Sequence, residues 1–172
     1  MDRVLKVIKA VNEYFEKGEK EPQKPFLKYL LHTYGVAYLS AAIAKVRGLD
    51  MELAFIIGIL HDIGKLKTKE LETDTDTENS YSHCIEGEKI AKEVLTNLNS
   101  FNEEEIEIIC RAIRNHANKK VEESLYDEVI KDADVIEKLF TEGKKFKNKM
   151  HKRKRLKSTL REFELKLYNR EP

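Results

Sequence analysis

The chain of 172 residues has the length of one domain, and its net charge of +1 excludes a strongly acidic or basic protein. Seven glycines and three prolines signal few turns, so the composition favours long helices over many short strands. Two cysteines without a CxxC pair argue against a disulfide framework, and the lack of any apolar run of about 18 residues argues against a membrane protein.

The first part of the chain predicts three helices. Apolar residues spaced by three and four predict an amphipathic helix over 2–17, and the absence of a signal-peptide core there predicts a cytoplasmic protein. A break at 18–25 precedes a largely apolar helix over about 26–46, with Gly48 as its stop. Asp50 is the expected N-cap of MELAFIIGILHD, a helix apolar nearly all round and therefore typical of the middle of a domain.

A polar, low-complexity segment separates these helices from the next ones. We interpret residues 67–80 as a mobile loop that could act as a lid over a site. Ser82 is the expected N-cap of a helix over about 83–97. Asn102 with Glu105 then predicts the capping box of another helix.

The last part of the chain predicts two more helices. A core helix over about 124–142 has a predicted apolar stripe of Leu125, Val129, Ala133, Ile136 and Phe140. The tail from residue 148 has helical spacing of Leu156, Leu160, Phe163 and Leu167. With no convincing strand or repeat, we expect a single all-α domain over residues 1–172.

Four histidines share one kind of position, beside an apolar helical stretch at a predicted helix start or end: His32, His61, His83 and His116. One histidine in such a place is typical of a satisfied core or surface residue. Four of them, with carboxylates at Asp62, Asp132 and Asp134, favour a site for Mn, Fe, Co, Ni or Zn. Burial of Asp62 at the end of an apolar helix is costly, and coordination of a metal would remove that cost.

Three motifs resemble those of the HD-domain phosphohydrolase superfamily: LHDIGK (60–65), HTYGVAYLSAAIA (32–44) and DADVIEKL (132–139). They occur in the family's order and spacing, and the resemblance covers about 26–140. It implies a compact helical bundle with a metal site at its centre. It also implies the ligands of a first metal ion: His32, His61, Asp62 and Asp134. Periodicity alone leaves Asp132 as an alternative to Asp134.

Two further motifs resemble those that bind a second metal in this family. SHCIEGEKIA (82–91) implies His83, and RNHANK (114–119) implies His116, with Asp62 bridging both ions. The implied cofactors are one or two divalent ions of Mn, Fe, Co, Ni, Mg or Zn. Many two-metal members have a double histidine where Ala117 follows His116 here, so the resemblance is closer to members that hydrolyse dinucleoside polyphosphates or other nucleotides.

Asp62 is the expected catalytic centre, and two cations are candidates for contacts to a phosphate. Lys65 could hold a phosphate as a point charge, or it could be a solvated lysine at a helix end. Arg114 is a weaker candidate for the same role. Cys84 and Cys110 lack the paired spacing of structural zinc sites, and we interpret them as small packing residues.

The segment 143–161 holds ten lysines and arginines and no acidic residue, within a basic, helical extension over about 143–172. Such asymmetry favours a polyanion as partner, either nucleic acid or a phosphate-rich substrate. The alternative is a solvated basic helix packed through Leu156, Leu160 and Phe163. The segment has no ladder of aromatic residues, so it indicates nothing about readout of bases.

The sequence therefore predicts a metal-dependent phosphohydrolase that cleaves a phosphoester or phosphoanhydride of a nucleotide or another phosphorylated small molecule. Two alternatives stay open. One is a nuclease that acts on RNA or DNA, which the basic segment favours and Ala117 disfavours. The other is a metal-bound regulatory or nucleic-acid-binding module without turnover. The oligomeric state also stays open.

Overall fold

A computed structural model describes residues 2–16, 24–68, 81–142 and 150–168. All regular structure in these ranges is α-helical, which confirms the predicted fold class. The helices are α1 (Asp2–Glu16), α2 (Lys24–Arg47), α3 (Met51–Leu60), α4 (Gly64–Thr68), α5 (Ser82–Leu98), α6 (Glu103–Asn115), α7 (Leu125–Glu142) and α8 (Met150–Tyr168). None of these described helices combines the length and the apolar character needed to cross a bilayer.

Helix α3 is the buried centre of the bundle, as its apolar sequence predicts. It packs against α1, α2, α6 and α7, and every residue from Leu53 to Leu60 except Phe55 is buried. The Asp50 carboxylate accepts the backbone N–H groups of Glu52 and Leu53 at 2.7 and 3.1 Å, so the predicted N-cap is confirmed. The helix ends at Leu60, two residues earlier than predicted, which leaves the next two residues in a turn.

Two boundaries of the surrounding helices differ from the predicted ones. Helix α2 begins at Lys24, so Pro25 lies in its first turn rather than in the break, where a missing N–H group has no cost. Ser82 does not cap α5. The helix begins at Ser82 itself, and the preceding residue, Tyr81, makes no capping bond through its side chain.

Two other boundary predictions are confirmed. Gly48 follows the last residue of α2 with φ 73°, the left-handed conformation that glycine adopts most easily at a helix end. Asn102 and Glu105 form both bonds of the capping box at the start of α6.

The apolar stripes of α7 and α8 are buried only in part. Leu125 and Phe140, at the two ends of α7, are 66% and 74% exposed, because these ends extend past the core. In α8, Leu156 is buried and Phe163 packs against the core, whereas Leu160 is exposed. The loop or lid predicted over 67–80 begins two residues too early, because Lys67 and Thr68 belong to α4. The rest of it, residues 69–80, and the side chain of Leu167 lie outside the described residues.

Helix α8 is joined to α2 and α7 by ion pairs as well as by apolar contacts. Arg155 donates to Glu128 at 2.7 Å and to Asp132 at 3.0 Å. Arg47, the last residue of α2, donates to the other oxygen of Asp132 at 2.6 Å and to Glu162 of α8 at 2.8 Å. Asp132 therefore lies in the junction between three helices.

Two glycines allow backbones to approach closely near the end of α3. A Cβ atom on Gly58 would overlap the Cα atom of Ala37 in α2. A Cβ atom on Gly64, the glycine of the HDIG sequence, would overlap the carbonyl oxygen of His83 and would lie 2.6 Å from the backbone nitrogen of Gly87. Because the atoms that it would meet belong to the backbone of α5, Gly64 fixes how closely that helix approaches.

We expect Gly64→Ala to force α4 and α5 apart and to lower the free energy of unfolding by about 3 kcal/mol, measured by thermal or chemical denaturation. Gly48→Ala is the control, since a Cβ atom there meets no neighbour within 4 Å. The control should cost only about 1 kcal/mol through its left-handed backbone. Equal losses in the two variants would contradict the close approach at Gly64.

Candidate metal centre

Two histidines of the centre are placed by helix ends. His61 is the C-cap residue of α3, and His116 is the C-cap residue of α6. In each ring, Nδ1 lies 2.7 or 2.6 Å from a backbone carbonyl three residues earlier, that of Gly58 or Ile113. A carbonyl only accepts, so each Nδ1 carries the proton and each Nε2 presents a lone pair.

The Asp62 carboxylate lies between two pairs of imidazole rings. Its Oδ2 atom is 3.6 Å from Nε2 of His32 and 3.4 Å from Nε2 of His61. Its Oδ1 atom is 3.6 Å from Nε2 of His83 and 3.2 Å from Nε2 of His116. One carboxylate thus faces two separate sets of nitrogen donors, one set at each oxygen.

Asp134 completes the set around His32. Its Oδ1 atom is 3.3 Å from Nε2 of His32, whose Nδ1 atom hydrogen-bonds to the carboxylate of Glu137. A carboxylate on the far nitrogen of a histidine is the usual way to orient an imidazole toward a metal. Asp132, the alternative that periodicity left open, instead binds Arg47 and lies away from the histidines.

The donors of the centre fit a divalent metal. Nε2 of His32 and Nε2 of His61 are buried atoms that make no hydrogen bond to another described residue, an arrangement that is costly unless a ligand completes it. Their ligand atoms and one from Asp62 lie within 4.8 Å of one another. A second such group consists of His83, Cys84 and His116. Nitrogen with carboxylate oxygen suits borderline divalent metals.

Three lysines surround the two aspartates. Nζ of Lys65 is 2.6 Å from Oδ2 of Asp62. Nζ of Lys119 is 2.6 Å from Oδ2 of Asp134 and also donates to the carbonyl of His116. Lys138 lies 3.1 Å from the same aspartate.

Sequence reasoning identified Lys65 but missed the lysines at Asp134, and it missed Glu137 as well. The sequence spacing could have identified two of these three residues, Glu137 and Lys138 but not Lys119. Glu137 and Lys138 follow Asp134 by three and four residues, which places all of them on one face of α7. Lys119 follows its partner His116 by three residues, but it lies after the end of α6, where the spacing rule for helices does not apply.

The charges of the centre shift its pKa values in opposite directions. Burial opposes ionisation of Asp62, but Lys65 and His61 hold its pKa well below the usual range. Burial also opposes protonation of His32, but Asp134 and Glu137 raise its pKa to about 9. For His116 burial dominates and lowers the pKa to about 3, so this ring stays neutral. The carboxylates are therefore ionised and available to a cation.

The structure does not bring every predicted residue to the centre. Arg114 is exposed and pairs with Glu88 at 3.0 Å, so no contact with the histidines supports its predicted role. Cys84, in contrast, lies 3.4 Å from Nε2 of His83, a location that its interpretation as a packing residue did not anticipate. Cys110 donates to the carbonyl of Glu88 and lies apart from this cluster.

The centre meets solvent on one side. The side chains of His32 and Lys138 are 15% and 16% exposed, whereas those of Asp62 and Asp134 are only 2% exposed. The exposed part of the centre therefore includes side chains of α2 and α7.

The chain is similar in sequence to known proteins. The sequence profile of the HD domain family matches residues 29–139. A ribonuclease Y of Mycoplasma capricolum is 39% identical over 107 residues, which are 62% of this chain and 18% of that protein. An uncharacterized protein of Clostridium beijerinckii is 35% identical over 128 residues, which are 74% of this chain and 73% of that one.

The fold is also similar to that of a solved structure. A crystal structure of a predicted HD superfamily hydrolase from an uncultured Thermotogales bacterium superposes with a TM-score of 0.57 at 21% identity. The match covers 94% of this chain and 89% of that chain. The present chain spans only a small part of the ribonuclease Y proteins that it matches. The matched region is 18% of the length of three of them and 21% of the length of a fourth.

The different positions of the two aspartates of α7 predict different phenotypes. We expect Asp134→Ala to lower the metal content of the purified protein by the ion bound at His32, because it removes an oxygen donor beside that ring. Asp132→Ala should keep its metal and lose stability instead, since it leaves Arg47 and Arg155 without a shared carboxylate. Elemental analysis and thermal unfolding of both variants are the measurements. Loss of metal in Asp132→Ala alone would contradict the assignment.

The raised pKa of His32 predicts a pH dependence of metal binding. A metal replaces the proton on Nε2, so affinity should increase with pH up to about 9, by about tenfold per pH unit for one released proton. Glu137→Gln removes one of the groups that raise this pKa, and the dependence should shift to lower pH. Metal titrations across pH test this, with Glu88→Gln as the control. An unchanged profile in Glu137→Gln would contradict the role of Glu137.

Proposed function

This chain belongs to the HD domain family, and on that premise we propose that it uses divalent metal to hydrolyse a phosphoester or phosphoanhydride bond. The observation that carries the proposal is the buried Asp62 carboxylate, whose two oxygens each face a pair of imidazole nitrogens. We propose a nucleotide as the substrate, since Ala117 replaces the second histidine of the double-histidine motif and makes the chain similar to family members that act on nucleotides.

The proposed ligand sets follow the two oxygens of Asp62. One divalent ion would be held by His32, His61, Asp62 and Asp134. A second would be held by Asp62, His83 and His116. Bound there, such ions supply positive charge to the phosphoryl oxygens and lower the pKa of the water that attacks phosphorus.

The residues around these ligands have supporting roles in the proposal. Glu137 holds the Nδ1 proton of His32, which leaves Nε2 of that ring free to bind. Lys119 holds the second oxygen of Asp134 and fixes the rotation of that carboxylate. Lys65 would donate to a phosphate oxygen of the substrate once Asp62 is neutralised by other charges.

A second candidate function is hydrolysis of RNA. It is favoured by the likeness to ribonuclease Y proteins, of which four match this chain at 32–39% identity over 107 residues. The matched part is a small fraction of those proteins, and the double histidine is missing here. We therefore place it behind nucleotide hydrolysis.

A panel assay tests the proposal. The purified chain with Mn²⁺ would be given nucleoside mono-, di- and triphosphates, dinucleoside polyphosphates, cyclic nucleotides and short RNA or DNA. We expect release of phosphate or nucleotide from a small nucleotide, and loss of that release in Asp62→Ala. Preference for RNA would support the second candidate. If the protein kept its metal but turned over no substrate, the proposal would be contradicted, and the result would support a non-catalytic metal-bound module instead.

The same assay isolates the role of Lys65. Lys65→Met should lower kcat/KM by about 10- to 100-fold, the effect of losing a charged hydrogen bond. Lys67→Met is the matched control, because Lys67 lies in the same short helix but is 61% exposed and pairs with Glu86. Equal activity in the two variants would exclude a contact between Lys65 and the reacting phosphate.

A further inference from the structure

Helix α8 lies outside residues 29–139, the part of the chain that matches the HD domain family. Its basic residues divide into two sets by the direction in which they point. Arg155 points inward, with a side chain that is 10% exposed. Besides its two carboxylate partners, it donates to the backbone carbonyl of Lys119 at 2.8 Å. The inward-pointing Arg155 therefore joins α8 to the rest of the protein.

The charges beneath α8 already satisfy one another. A cavity of about 300 Å³ lies there, and its lining includes Arg47, Glu128, Asp132, Arg155 and Glu162. Arg47 pairs with Asp132 and Glu162, and Arg155 pairs with Glu128 and Asp132. A phosphate that entered this cavity would have to compete with these carboxylates, so the cavity is poorly suited to anions.

The outward set is different. Arg153, Lys157 and Arg161 are exposed and follow one another at intervals of four residues, about 6 Å along the helix axis. Within the described part of the chain, the structure records no hydrogen bond or ion pair for any of the three. Lys154 extends the row, and its pair with Glu122 joins two side chains that are 80% and 78% exposed, which makes that pair weak.

We infer that this outward row on α8 binds the phosphodiester backbone of a nucleic acid. Cations in a line at regular intervals fit a polymer of phosphates, whereas a single nucleotide would meet only one or two of them. Each phosphate that the row neutralises releases counterions, which drives binding at low salt. Among the described side chains of α8 the aromatic ring is that of Phe163, which packs against the core, so these side chains offer no ring for stacking. The binding is therefore independent of base sequence.

Helix α8, which carries the row, is linked to the metal centre through Arg155 and Lys119. Arg155 binds the carbonyl of Lys119, and Nζ of the same lysine binds Asp134. A nucleic acid bound to the row would consequently be bound to a helix that is joined to the centre. The inference goes beyond the proposed hydrolysis, because binding to the row requires neither metal nor turnover.

The test is a binding measurement on the full chain in the presence of a chelator, so that cleavage does not interfere. Fluorescence anisotropy would follow a labelled single-stranded RNA and a DNA of the same sequence. The variant carries Arg153→Gln, Lys157→Gln and Arg161→Gln. The control carries Lys9→Gln, Lys89→Gln and Lys92→Gln, an equal change of charge at exposed positions of α1 and α5.

We expect the α8 variant to bind RNA and DNA about 10- to 30-fold more weakly at about 0.1 M salt, with a salt slope smaller by about 2 to 3. The control should stay within about twofold of the parent, and all three proteins should unfold at similar temperatures because the changed residues are exposed. Parent-like binding by the α8 variant, or an equal loss in the control, would overturn the inference.

A vesicle assay separates nucleic acid from another anionic surface. Vesicles of phosphatidylglycerol and phosphatidylcholine would be offered to the same three proteins. Binding to vesicles that depends on the row, without binding to either nucleic acid, would overturn the inference in favour of a membrane surface. Failure of the panel assay would not affect this result, since the anisotropy measurement requires no hydrolysis.

Discussion

The cost of burying one carboxylate determines much of this structure. Asp62 follows the apolar helix α3 and is almost completely removed from water, where an isolated charge would be strongly unfavourable. Lys65 and four imidazole rings surround it, and each must be brought there by a different element. The close approach at Gly64 brings His83, the ends of α3 and α6 bring His61 and His116, and α2 brings His32. The bundle is thus arranged around the charge that it encloses.

The sequence predicted those parts of the site that local chemistry determines. His61, His83 and His116 were recognisable because apolar periodicity stops or starts beside them at helix ends, and the HDIG pattern identified Asp62. The predicted position of His32 near a helix end was wrong, because this residue lies inside α2. The family resemblance implied Asp134 rather than Asp132, but spacing alone could not choose between them, since the two residues lie on opposite sides of α7 and their different partners come from other helices. Lys119 was missed for the same reason: its partner Asp134 is distant in the sequence, and no local spacing connects the two.

Helix predictions failed mainly where a helix extends past the core. Leu125 and Phe140, near the two ends of α7, continue an apolar stripe by their spacing, yet both are exposed. Leu160 is also exposed, although Leu156 and Phe163 on either side of it in α8 pack against the core. Periodicity identifies the face of a helix but contains no information about where the neighbouring helices end. Arg114 shows the converse, since its position beside His116 in the sequence does not bring its side chain to the same place. Direction from the helix axis decides which residues meet.

The backbone contact between Gly64 and α5 has a consequence for how such a protein could change over evolutionary time. Because Gly64 of α4 directly meets the backbone of α5, this contact fixes the position of His83 relative to α4, whatever the length of the connection between the two helices. Lengthening a connection whose ends are already fixed adds little entropic cost. This connection is accordingly a place where insertions could accumulate and new specificity could arise beside an unchanged set of ligands.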